Sequence, residues 1–271
     1  MARERITRRP VTRVAGGSVE RFDDAVALER ALELRVDGRT LSVTLRTPGH
    51  DEDLALGFLA GEALIESRAQ VAGIALTAGS CADEPDRAEI SLASGVAFDW
   101  ARLERHFTAT SACGLCGRAH LDALRAALRP APAGAQIALA ALNSLSERAR
   151  AAQETFEATG ALHAAALAEG SDLAIAVLRE DVGRHNAVDK IAGWLIAAGR
   201  YPLAGGVLWV SGRAGAEIVL KAARARIPVL AAVGAPSSLA IELAETAGMT
   251  LIGFLREGRM NVYCGLSRIA T

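Results

Sequence analysis

The hydrophobic pattern changes character along the chain. Leu32, Leu34 and Val36 alternate with polar residues, as do Leu41, Val43 and Leu45, the period of a half-buried strand. Asp37-Gly38 stands between the two runs, a pair suited to the left-handed turn of a tight hairpin. Pro48-Gly49-His50-Asp51 stops the sheet, and Asp51 is placed to cap a helix running to about Leu64. Residues 90–93 read as another strand, and a small α+β domain ending near residue 108 follows.

Helices come next. Leu121, Leu124 and Leu128 share one face of a helix that starts just past Gly117 and stops at Pro130 and Pro132. A second helix covers 143–157. From Thr159 onward the apolar runs become short. Residues 162–167 and 173–178 read as an antiparallel pair about the turn Glu169-Gly170-Ser171-Asp172. Strands over 172–178, 206–210 and 229–233 each feed a helix, over 184–198, 214–226 and 236–247, and a strand over 250–254 closes the series. The last three strands are continuously apolar, as in a sheet covered on both faces, and right-handed crossovers make them parallel. The expected architecture is α/β. A three-layer α/β/α domain spans 119–271 and a smaller α+β domain spans 14–108, joined by a mobile segment over 109–118 and preceded by a flexible basic tail over 1–13.

Composition narrows the function. A formal net charge of −1 over 271 residues argues against a general nucleic-acid or membrane-surface binder. Hydrophobic residues make up 51 % and aromatics 4 %, so the core is built of Ala, Leu, Val and Ile. Arg3, Arg5, Arg8, Arg9 and Arg13 crowd the N-terminus without the apolar stretch of a secretion signal. No run reaches the roughly 18 apolar residues of a membrane span. Four unclustered cysteines without a signal fit a reducing cytoplasm.

Candidate chemistry centres on Thr110-Ser111-Ala112-Cys113-Gly114-Leu115-Cys116-Gly117, which holds two of those cysteines. A structural zinc site requires four ligands, and Cys113, Cys116 and His120 supply three. A base-deaminase zinc site requires H-x-E and P-C-x-x-C at helix starts. Here those starts read Arg184-His185-Asn186-Ala187 and Ser211-Gly212-Arg213-Ala214-Gly215-Ala216, without the glutamate or the cysteines. A redox pair would place a thiol near a helix N-terminus, where the dipole lowers its pKa. A sulfur carrier would attack a donor persulfide and hold the outer sulfur, and Gly114 and Gly117 supply the mobility this asks for. The residues alone leave redox exchange and sulfur carriage open, beside a zinc site and an inert pair.

Four polar segments follow the strands of the C-terminal sheet: 179–186, 211–215, 234–238 and 254–259. In open α/β sheets ligands bind outside the carboxyl ends of the strands. Each segment alone is ordinary turn chemistry. Together on one rim, with glycines, helix N-termini and arginines, they point to a phosphate-bearing ligand. Lys190 and Lys221, the only lysines, fall in the adjoining helices. His185 reads equally as a ligand contact or a capping residue, and His163 as an interior histidine.

These motifs resemble the FdhD/NarQ family. The likeness rests on 110–117, on Thr159-Gly-Ala-Leu-His-Ala-Ala-Ala166, on the run from Arg179 to Lys190, on 231–240 and on 253–263, and it extends from about Leu32 to Tyr263. It implies an accessory sulfurtransferase for formate dehydrogenase, cytoplasmic and homodimeric, with a cytidine-deaminase-like C-terminal domain. Such a protein accepts persulfide sulfur from a cysteine desulfurase and passes it to the bis(molybdopterin guanine dinucleotide) molybdenum cofactor. By the same resemblance Cys113 is the sulfur carrier and Cys116 its neighbour. Phe254, Leu255, Arg256, Glu257, Gly258 and Arg259 match the segment that holds the cofactor, and no metal is resident. Gly215-Ala216 and Gly234 depart from the family's usual residues. A cofactor chaperone with structural cysteines and a thiol–disulfide oxidoreductase are the alternative readings.

Overall fold

Strand pairing starts earlier in the chain than its arginine content led us to expect. A computed structural model describes residues 4–81, 83–100, 128, 130–133 and 136–270. Cys113 and Cys116 lie outside the described residues, as does nearly all of the helix expected past Gly117. In place of a tail over 1–13, β1 (Ile6–Ala15) pairs antiparallel with β2 (Ser18–Ala27). Gly16 and Gly17, at φ +55° and +82°, supply the two left-handed residues of its turn. The arginines are cross-strand partners: Arg13 faces Glu20 and stacks 4.4 Å above the ring of Phe22.

The next sheet has the order β4-β3-β6-β5, from β3 (Arg30–Val36), β4 (Arg39–Arg46), β5 (Val71–Thr77) and β6 (Asp86–Leu92). Asp37-Gly38 makes the expected turn, both residues at positive φ. Leu32, Leu34 and Val36 are fully buried. The second run does not follow them inward. A bulge opposite Leu34 and Arg35 turns Leu41 to the core and leaves Val43 and Leu45 outside, 57 % and 58 % exposed. Helix α1 (Asp51–Gly61) covers the sheet. Its N-cap is His50, in the left-handed region, and not Asp51. Fully buried Arg46 takes Asp51's carboxylate at 3.0 and 2.9 Å and also reaches Asp86 at 2.6 Å.

The C-terminal sheet has the order β13-β12-β11-β10-β8-β9. Strands β8 (His163–Glu169) and β9 (Ala174–Asp181) form the expected antiparallel pair. Strands β10 (Val207–Val210), β11 (Val229–Ala232) and β12 (Thr250–Arg256) run parallel. An unexpected strand, β13 (Arg259–Cys264), returns antiparallel to β12. Two further short strands, β7 (Ile137–Ala138) and β14 (Ile269–Ala270), pair with each other.

The two residue periods of β10 serve two cores. Val207 and Trp209 pack beneath α2 (Leu139–Ala151). Leu208 and Val210 pack toward α4 (Arg184–Ala197), α5 (Ala216–Arg224) and α6 (Ser238–Thr246). The helix expected over 143–157 is broken after α2, and α3 (Glu154–Thr159) starts anew. Glu180 fixes that break: its carboxylate accepts from the N–H groups of Thr155 and Phe156 at 3.0 and 2.7 Å, donors that a helix start leaves unpaired.

The two sheets meet where α1 crosses α4. A Cβ on Gly57 would lie 1.7 Å from the Asp189 carbonyl oxygen, and one on Gly193 would lie 1.7 Å from that of Asp53. The backbones touch, and only glycine fits at both positions.

Candidate ligand cavity

Strands β10, β11 and β12 deliver their carboxyl ends to one rim, bringing Ser211, Val233 and Arg256 into the wall of a cavity of ≈ 530 Å³. Antiparallel β8 brings His163 to the same end. Trp209 and Leu162, almost wholly buried, back its wall, and Glu147 and Arg150 of α2 and half-buried Phe156 of α3 form further walls.

Local backbone strain aims the residue at the end of β12. Phe254 sits at φ +54° inside a strand, and the pairing with β13 shifts register between Gly253 and Arg256. A positive φ at an aromatic residue costs on the order of 1–3 kcal/mol and persists where its surroundings enforce it. Here the Phe254 N–H donates to the Gly234 carbonyl at 3.2 Å. Gly253 is pressed between Pro236 and Tyr263, and Gly234 against Gly212, contacts too close for an added Cβ. Leu255 is therefore turned wholly into the core, with its carbonyl accepting from Ser146 Oγ at 2.9 Å. Arg256 is left at the cavity. Glu257 and Gly258, both at positive φ, close the turn into β13. The segment read as a loop over 254–259 is thus a strand end and a hairpin. Of its six residues only Arg256 and Glu257 line the cavity. Arg259 is exposed and lies 3.4 Å from Glu257.

His163 is a wall residue, not the interior histidine expected. Burial holds its imidazole below the usual value, Arg184 adds to that, and Asp181 opposes it. Beside it Ser211 Oγ accepts from the Ala164 N–H at 2.9 Å. His185 lies off the cavity, its Nε2 3.2 Å from Glu217. Burial lowers its pKa too, against the pull of Glu217.

The other polar segments have structural tasks. Residues 179–190 stitch the two sheets together. Arg179 pairs with Asp53 of α1 at 2.8 Å, and Asn186 donates to the Leu45 carbonyl at 2.8 Å. Lys190, buried, lies 2.6 Å from Asp181 and donates to the Thr47 carbonyl at 3.0 Å. Lys221 meets Asp189 at 2.6 Å. Ser237 caps α6 by accepting from the Ala240 N–H. Sequence spacing found the rim but could not separate side chains facing the cavity from those facing α1. It also missed Arg150 and Phe156, which carry no motif.

Among the described residues no three of His, Cys, Asp and Glu gather to hold a metal. Of the described cysteines, Cys81 is exposed, while Cys264 is half-buried and donates to the Met249 carbonyl at 3.3 Å. Burial raises its pKa. No described helix is long and apolar enough to cross a membrane.

The sequence model of the FdhD/NarQ family matches residues 27–270. The chain belongs to the FdhD/NarQ family. Its FdhD/NarQ relatives include the sulfur carrier protein FdhD of Mycolicibacterium paratuberculosis, 46 % identical over 271 residues, which span 97 % of this chain and 98 % of the relative. The sulfur carrier protein FdhD of Streptomyces avermitilis is also 46 % identical, over 97 % of this chain and 95 % of its own. A solved structure from Desulfotalea psychrophila, described as a formate dehydrogenase accessory protein, superposes with a TM-score of 0.77. At 23 % identity, covering 98 % of this chain and all of that one, it shares the fold. The β1–β2 ribbon precedes nearly all of the part matched to the FdhD/NarQ family.

Proposed function

We propose that this chain is a cytoplasmic, homodimeric sulfur carrier that serves formate dehydrogenase. Cys113 takes sulfur from a cysteine desulfurase, and the acceptor is the bis(molybdopterin guanine dinucleotide) molybdenum cofactor, bound as substrate at the cavity. The observation that carries the reading is the near full-length match to proteins named sulfur carriers. The Cys113-Gly-Leu-Cys116 pair supplies chemistry that fits it. Residues 14–108 and 119–271 are the two domains of this reading, the second a cytidine-deaminase-like scaffold without deaminase residues. Parallel β10–β12 with helices on both faces supports that assignment.

In the loading step the Cys113 thiolate attacks the outer sulfur of the desulfurase persulfide. A new S–S bond forms, the donor's S–S bond breaks, and the desulfurase cysteine leaves as thiolate. Delivery of that sulfur as sulfide needs two electrons. Attack of the Cys116 thiolate on the inner sulfur supplies them, leaving a Cys113–Cys116 disulfide and freeing hydrosulfide for the metal. The apolar cavity with arginine at its mouth suits a phosphate-bearing pterin nucleotide.

Intact-mass measurement after incubation with desulfurase and cysteine tests the reading. The expected gain is about 32 Da, removed by reductant, and Cys113→Ala should abolish it together with maturation of active formate dehydrogenase. Full loading of that variant refutes Cys113 as the carrier.

A further inference from the structure

We infer that Arg150 is a second anion contact of the cavity and holds the ligand's phosphates jointly with Arg256. This rests on the cofactor-binding reading above. The two arginines come from different elements, the last turn of α2 and the end of β12, and both line the one cavity. Among the described residues the Arg256 guanidinium has no hydrogen bond or ion pair, and its acidic neighbour Glu257 lies by Arg259.

Arg150 is held ready by an aromatic ring. Its guanidinium lies 4.4 Å from the centre of Phe156, itself a cavity wall. A cation–π contact engages the charge without using up the N–H donors, the fork that grips phosphate through paired bonds. Among the described residues the one carboxylate on that fork belongs to Glu157, at 3.2 Å, and its side chain is 76 % exposed. A pair so open to solvent is screened and exchanges readily for a multivalent anion.

The rest of the lining sets the ligand class. Glu147 and Glu257 share the mouth with the arginines. They repel a bare anion but accept from N–H groups. Half-buried Phe156 and Val233 offer apolar surface to a flat ring, and His163 stands in the same wall with its pKa held down by burial. Phosphates plus an N–H-bearing base describe a nucleotide better than a simple inorganic anion.

Guanosine diphosphate titrated calorimetrically into the full chain is the test. Arg150→Ala should weaken binding by about tenfold or more and flatten its dependence on salt, a change that a merely structural role would not produce. Arg150→Lys, which keeps the charge but loses the fork, should recover part of the affinity. Thermal melts of each variant report the fold. Affinity and salt dependence unchanged in Arg150→Ala overturn the clamp and leave the cavity reading standing. Absence of binding to the wild-type chain, with Cys113 still loaded by desulfurase, overturns the cavity reading and the clamp with it.

Discussion

His50 occupies the N-cap of α1 in the left-handed region, at φ 56°. Burial foremost, with Arg179, Arg5 and Lys190 adding to it and Asp51 opposing, brings its pKa down to about 4. The ordinary value is 6.5, so the unfolded chain binds the proton more tightly than the folded one. Stability from this group is complete above about pH 6.5 and is lost as pH falls toward 4. His50→Asn tolerates the same backbone and never titrates in this range. Urea denaturation at pH 7.5 and 5.0 should show a smaller drop in midpoint for this variant than for the wild type. His163 and His185 are shifted in the same direction, so part of the acid sensitivity should remain. An equal drop in both proteins removes His50 from the account.

At the scale of elements, the crossing of α1 and α4 is set by two glycines that nothing in the hydrophobic pattern singles out. Gly193→Ala places a methyl where the Asp53 carbonyl stands, so the helices must part. Overpacking of this kind costs about 1–3 kcal/mol, and more where backbone has to move. The urea midpoint should fall accordingly, whereas Gly73→Ala, in open space on β5, should not cause an overpacking loss. The sequence is clear wherever one period dominates. Leu32, Leu34 and Val36, the Asp37-Gly38 turn and the apolar strands β10, β11 and β12 were all readable. It is opaque where partners are remote. Glu180 breaks a continuous helical pattern from another strand, and the bulge at Leu41 reverses the two residues that follow. The arginines of β1 find their complements only across the turn. The cavity was legible as a rim of strand ends, but its division of labour was not. Arg179 and Asn186 looked like ligand groups because their partners on α1 and β4 lie more than a hundred residues away.

For the whole molecule, the seam between the sheets is both apolar and ionic. The tightly crossed helices lie beside the Lys190–Asp181 and Arg179–Asp53 pairs, with Lys190 and Asp181 almost wholly shielded from water. Separating the halves would break the Arg179–Asp53 pair and take the Thr47 carbonyl from Lys190, leaving the Lys190–Asp181 pair, which lies within one half, open to water. These contacts predict a seam that holds by surface complementarity, independent of chain continuity. Two polypeptides carrying residues 1–100 and 128–271, produced together, should co-purify in a one-to-one ratio. Arg179→Glu in the second piece, which sets like charges against Asp53, should abolish co-purification. If the pieces never associate, the covalent link is what holds the halves. If they do, the segment bearing Cys113 can be cut, lengthened or replaced as an independent part, because the two bodies it joins find each other without it.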